Sequence, residues 1–64
     1  MNTKQKIIKE ALALFAERGY NDVYVNDIAQ AVGIKAPSLY KHFKSKQEIF
    51  NAILEELKRS YTQQ

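Results

Sequence analysis

The sequence has no cysteine and no tryptophan, and its 64 residues include one proline, Pro37, two glycines, Gly19 and Gly33, and one histidine, His42. Without cysteine there is neither a disulfide framework nor a thiolate metal site, and His42 alone cannot build a zinc centre without several carboxylate helpers. Neither a metal nor a cofactor is expected. The first residues, Met1 to Gln5, lack the apolar stretch of a signal peptide, and no window approaches the ~20 apolar residues of a membrane span. The expectation is a cytoplasmic chain with no membrane partner. Negative charge is locally the scarcest property: between Asp27 and Glu48 the only charged residues are Lys35, Lys41, Lys44 and Lys46, although the net charge is only +3. Such a run is either a plain solvated face or the basic footprint of a nucleic-acid binder, and the spacing of its neighbours must decide.

A chain of this length forms one domain and buries only about 60% of the surface its unfolded form exposes, so its stability is expected to be marginal. Helical periodicity dominates. Stepping about 100° per residue, Ile7, Ile8, Ala11, Leu12, Leu14 and Phe15 fall within an arc of roughly 160°, with Lys6, Lys9, Glu10 and Glu17 outside it. This predicts a first helix, capped by Thr3 and stopped by Gly19 in a left-handed conformation, followed by a loop at Tyr20, Asn21 and Asp22. Val25, Ile28, Ala29 and Val32 predict a short second helix over 25–32. Gly33 breaks the pattern and Pro37 restarts it in the first turn of a third helix, from about Ala36 to Phe43. Ser45 and Glu48 form a capping box for a fourth helix from Lys46, whose inward set is Ile49, Phe50, Ile53, Leu54, Leu57 and Tyr61. Val23, Tyr24 and Val25 are locally β-prone, but no strand signal challenges an all-α reading.

The second and third helices have the requirements of a helix-turn-helix. Two helices that cross steeply need a small residue near their joint, a positive-φ residue in the turn and apolar anchors beyond it. Ala29, Gly33 and Leu39 supply these, and Ile28, Val32, Ile34 and Phe43 fill the other scaffold positions. With Ala36 at 0°, Leu39 and Phe43 project near 300° and 340°, whereas Pro37, Ser38, Lys41 and His42 fall between about 100° and 240°. One face is greasy, and the opposite one carries the donors and acceptors that base edges require. Lys41 suits guanine O6 or N7, and Pro37 and Ala36 suit a thymine methyl. Tyr40 lies at the margin, either as a boundary aromatic or with its hydroxyl on a phosphate. Lys46, at the start of the fourth helix, is expected at an anion-friendly terminus, with Lys35 and Lys44 adding attraction.

Gly33-Ile34, Ser38-Leu39-Tyr40, His42-Phe43, Lys44-Ser45-Lys46 and Glu48-Ile49 resemble the signature of the TetR family of bacterial transcriptional regulators. Ile8 through Phe15 with Gly19-Tyr20, and Val25 through Ala29, look like that family's first two helices. The resemblance implies a homeodomain-like three-helix bundle with helix-turn-helix plus the start of a fourth helix. Residues 1–46 would be the DNA-binding domain, and 47–64 would lead to a C-terminal dimerisation and ligand domain absent from these residues. It implies a palindromic double-stranded operator, a homodimeric parent, a small-molecule inducer held by the C-terminal domain, and most often repression. Carried over by position, Pro37, Ser38, Lys41 and His42 face bases with Ala36, Tyr40 and Lys46 hold phosphates, and Asn26 adds a contact from the second helix. Two departures stand out: Tyr24 and Lys35 occupy cap positions where the family usually has Ser or Thr, weakening each cap by about 1 kcal/mol. Asn26 would compensate by shifting the start of the second helix.

The rival reading is a protein-interaction module that docks another helix through the fourth helix, its lysines serving only solubility. Salt separates the two, because DNA binding weakens steeply with ionic strength. Enzymatic function is a distant third. Ser38 and His42 are one helical turn apart, but no acid on that helix completes a triad and no oxyanion cradle is evident.

Overall fold

A computed structural model describes residues 2–62, with side chains described through Arg59. Its α-helices are α1 (Thr3–Arg18), α2 (Val25–Val32), α3 (Ala36–Tyr40) and α4 (Lys46–Thr62), and there is no strand among the described residues. Side chains from all four meet in one core: Ile7 and Ala11 of α1, Ile28, Ala29 and Val32 of α2, Leu39 of α3, Ile49 and Ile53 of α4, together with Val23 and Phe43 from the connections. No described helix is long and apolar enough to cross a membrane.

The cap of α1 is Asn2 rather than Thr3. Its side chain accepts a 2.8 Å hydrogen bond from the Gln5 N–H, leaving Thr3 as the first helical residue. Asn is at least as good an acceptor for an orphan amide, so the helix gains a turn position without losing its cap. At the other end the Gly19 N–H bonds the Phe15 carbonyl at 2.8 Å, with φ 87° and ψ 154°. That is an extended positive-φ conformation and not the left-handed helical one expected. The chain must leave α1 directly into a single 3₁₀ turn at Tyr20–Asp22, which replaces the expected loop.

Gly33 ends α2 with φ 90° and ψ 27°, the left-handed helical conformation the turn requires, and its N–H reaches the Ala29 and Gln30 carbonyls. A Cβ at either glycine would meet nothing within 4 Å, so any penalty for a side chain is purely conformational. The two sites should therefore separate. Asn tolerates the left-handed helical well, so Gly33→Asn is expected to cost under about 1 kcal/mol. Gly19 occupies a region that is essentially closed to other residues, and Gly19→Asn is expected to cost about 1–3 kcal/mol. Thermal unfolding of the two variants checks the order, and equal losses would contradict it.

The outward drift of several apolar residues is the main departure from the periodic reading. Leu12 is 43% exposed, Leu54 48% and Leu57 47%. Val25, Ile8, Leu14, Phe15 and Phe50 are only half-buried. With only two short helices, α2 and α3, to pack on, a 16-residue and a 17-residue helix have more apolar stripe than the bundle can cover. The side chain of Tyr61, counted in the stripe of the fourth helix, lies outside the described residues. Val23, read only as β-prone, is fully buried and seals the connection between α1 and α2.

Candidate nucleic-acid interface

The start of α2 fixes the first half of the helix-turn-helix. Tyr24 occupies the cap position but makes no side-chain cap bond; instead the Asp27 carboxylate, three residues on, accepts the Tyr24 N–H at 2.9 Å. The same carboxylate lies 3.7 Å from the Arg18 guanidinium, tying the end of α1 to the start of α2. A negative charge in the first turn also complements the helix dipole. The expected shift of the start to Asn26 does not occur, because Asp27 already does the work of a cap. Asn26 is exposed in the first turn of α2.

From Gly33 the chain passes through half-buried Ile34 to Lys35, whose carbonyl accepts from the Ser38 and Leu39 N–H groups at 3.0 and 3.2 Å. The side chain of Lys35 makes no cap bond, and proline in the first turn supplies the preorganised φ instead. Regular α-helix ends at Tyr40 rather than Phe43. The Lys41 N–H bonds Ser38 and the His42 N–H bonds Leu39, a tight 3₁₀-like closure, before the Phe43 N–H returns to the Leu39 carbonyl at 3.0 Å. The tightening drives Phe43 into the core, and the two faces survive it. Leu39 and Phe43 are buried, while Pro37, Ser38, Lys41 and His42 are exposed. Ala36 is half-buried, so only part of its methyl is available to a base. Tyr40 is 43% exposed, as expected of a margin position.

Beyond α3, the cap of α4 differs from a reciprocal box by one residue. The Ser45 hydroxyl accepts the Glu48 N–H at 3.2 Å, but the Glu48 carboxylate accepts the Lys44 N–H, at 3.0 Å, and not that of Ser45. The Lys44 ammonium donates to the Tyr40 carbonyl at 3.3 Å, closing the C-terminal end of α3. Lys46 behaves in a way the sequence does not announce. It is half-buried, its ammonium donates to the Tyr20 carbonyl at 2.7 Å and it lies 4.2 Å from the centre of the Tyr20 ring.

The structure thus brings Pro37, Ser38, Tyr40, Lys41 and His42 onto or beside one exposed face, with exposed Lys35 and Lys44 at its two ends. Lys46 is turned toward Tyr20. Two residues escape the sequence reading. Lys4 of α1 places its ammonium 5.7 Å from the Phe43 ring centre, bringing a further cation beside the end of the α3 segment. Tyr24, read as a weak cap and as locally β-prone, is 67% exposed. Lys4 carries no signal in one sequence, because only the fold brings residue 4 near residue 43.

Comparison with known proteins agrees with this fold. Residues 7–53 match the model of the bacterial regulatory proteins of the tetR family. The chain is 51% identical over 47 residues to the biofilm operon icaADBC negative transcriptional regulator IcaR of Staphylococcus aureus, covering 73% of this chain and 25% of that protein. It is 44% identical over 52 residues to the IcaR of Staphylococcus epidermidis, covering 81% and 28%. Among solved structures it resembles the ketosteroid transcriptional regulator KstR2 of Mycobacterium tuberculosis, with 41% identity, a TM-score of 0.80 and coverage of 84% of this chain and 28% of that one. The probable transcriptional regulatory protein RHA5900 is similar at 40% identity and TM-score 0.82, with coverage of 89% and 30%. The chain spans about a quarter of the length of the relatives it matches. The matched span holds the whole helix-turn-helix, and the chain belongs to the TetR family of bacterial transcriptional regulators, as that family's DNA-binding domain.

Proposed function

We propose that this chain binds double-stranded operator DNA sequence-specifically, with α3 in the major groove, as the reading part of a ligand-responsive repressor. The observation that carries the reading is the division of α3 and the tight turn that closes it, residues 36–43, into two faces. Leu39 and Phe43 anchor one face in the core, and Pro37, Ser38, Lys41 and His42 present the other to a partner. Lys41 and His42 offer donors to purine edges, Ser38 a donor and acceptor, and Pro37 with part of Ala36 an apolar surface for a thymine methyl. Tyr40, Lys35 and Lys44 hold phosphates on either side, joined by the backbone N–H groups at the start of α4 around Lys46, and Asn26 adds a contact from α2.

In a dimeric parent, two such units read a palindromic site with their α3 segments about 34 Å apart, one DNA turn. The dimer contacts and the inducer site belong to a C-terminal domain. As a single unit, the chain is expected to bind a half-site weakly. That the relatives IcaR are negative regulators favours repression as the outcome.

Tyr40 gives a direct test of the division between phosphate and base contacts. Tyr40→Phe is expected to weaken binding to every duplex by about 1 kcal/mol, through one lost hydrogen bond, with no change in base preference. Competition titrations with operator variants measure this. A loss confined to one base position would move Tyr40 to the reading face.

A further inference from the structure

We propose that Lys4 of α1 holds a DNA phosphate beside the trailing end of the reading face, which makes α1 a DNA-contacting element as well. The inference rests on the DNA-binding reading above and adds to it a residue from outside the helix-turn-helix. The Lys4 ammonium lies 5.7 Å from the centre of the Phe43 ring. Phe43 closes the turn after α3; Lys41 and His42 just before it are exposed, and so is Lys44 directly after it. A residue at the start of the chain thus puts its charge where the reading face ends. Lys4 also precedes residues 7–53, the span that matches the family.

The fold itself gives this charge little to do. Lys4 is exposed and has no carboxylate partner among the described residues. No acidic residue stands in the first turn of α1, where a lysine opposes the helix dipole. The contact with Phe43 leaves hydrogen-bonding capacity over, because a ring face attracts the ammonium electrostatically without taking up its three N–H donors in conventional bonds. Phe43 is buried and fixed by the core, so its ring gives a direction to a long and otherwise flexible side chain. That orientation lowers the entropy lost when the ammonium engages a phosphate. Lys9 provides the contrast on the same helix: it borders a groove with Gln5, Ile8, Leu12 and Glu56 of α4 instead of the Phe43 ring.

Inserted in the major groove, α3 has a sugar–phosphate wall on each side. At its trailing end the Lys44 ammonium is drawn back to the Tyr40 carbonyl, 3.3 Å away, and Lys4 brings a second cation to the same wall from α1. Phosphate contacts set register and orientation without reading sequence. Lys4 therefore contributes equally to every duplex, and it holds Lys41 and His42 against the bases they read.

Salt titrations of three variants test the assignment, with a duplex selected from random sequence by the wild-type chain. Lys4→Met keeps the aliphatic stem over Phe43 and removes the charge. Its slope of log K against log salt should be shallower by about 0.9, so that between 50 and 500 mM salt the wild type loses about eightfold more affinity than the variant. Lys4→Arg should keep the wild-type slope, and so should Lys9→Gln, which removes the same charge elsewhere on α1. Base preference and melting temperature should match the wild type in all three. Because the chain has no cysteine, Lys4→Cys can carry a single iron chelate, which should cut the duplex backbone next to the pairs read by Lys41 and His42. An unchanged slope in Lys4→Met, an equal change in Lys9→Gln, a loss confined to one base pair, or no cutting from position 4 would each overturn the role of Lys4. Failure of the wild-type chain to select any duplex would instead overturn the DNA-binding reading beneath it, a failure recognisable because it precedes any substitution.

Discussion

Leu39→Ala is expected to unfold most of the domain, or to lower its melting temperature by at least about 10 °C, and to abolish DNA binding with it. Leu39 is fully buried and is the one residue of the five-residue α3 that is. Truncating such a leucine costs about 2–5 kcal/mol, from lost burial and the cavity left behind. A domain of this size has only about 3–10 kcal/mol in total. The backbone increases the local cost, because the Leu39 carbonyl receives the His42 and Phe43 N–H groups that close the helix. Lys41→Ala is the control. Lys41 is exposed, so stability should change by no more than about 0.5 kcal/mol while base preference changes at one position. Circular dichroism on heating, beside a binding titration, separates the two outcomes. A Leu39→Ala chain that melts like the wild type would mean that α3 is not anchored through its apolar face.

Raising salt from 50 to 500 mM is expected to weaken duplex binding by about 60-fold if Lys35 and Lys44 each neutralise one phosphate, since the slope is then about −1.8. Any further cation that reaches the backbone steepens the slope by about 0.9, and Lys4, beside Phe43, is the nearest candidate. The effect comes from release of condensed counterions and so depends on charge neutralised rather than on sequence read. Association through the exposed Leu12, Leu54 and Leu57 would show the opposite behaviour, because apolar contacts hold or strengthen as salt rises. Isothermal titration at several salt concentrations decides between them, and a flat plot would favour the protein-interaction reading of α4.

Periodicity marks α2, the Ser45–Glu48 spacing marks the first residue of α4, and the small residue, glycine and leucine at the joint mark the helix-turn-helix. These are local signals, carried by residues within one or two turns of each other. The caps were less legible, because several residues compete for one orphan amide. Asn2 displaces Thr3, Asp27 substitutes for a missing hydroxyl at Tyr24, and Glu48 reaches Lys44 rather than Ser45. A helical period of 3.6 carries α3 to Phe43, three residues past its end at Tyr40, because it does not distinguish a 3₁₀ closure from a continuing helix. Yet that closure leaves Lys41 and His42 outside and Phe43 inside, so the reading face survived the error. Lys46 shows the limit most clearly. Its charge and place at a helix start are visible in the sequence, but Tyr20 lies 26 residues away and is brought to it only by packing of α1 on α4.

Titrating the ¹⁵N-labelled chain with a short palindromic duplex at low and high salt, and following backbone and side-chain shifts, tests the central claim most directly. The account predicts changes concentrated at Asn26, at residues 35–42 and at the start of α4, receding at high salt, while Leu12, Leu54 and Leu57 stay unmoved. Shifts centred on those three leucines, with Ser38, Lys41 and His42 unaffected, would contradict it.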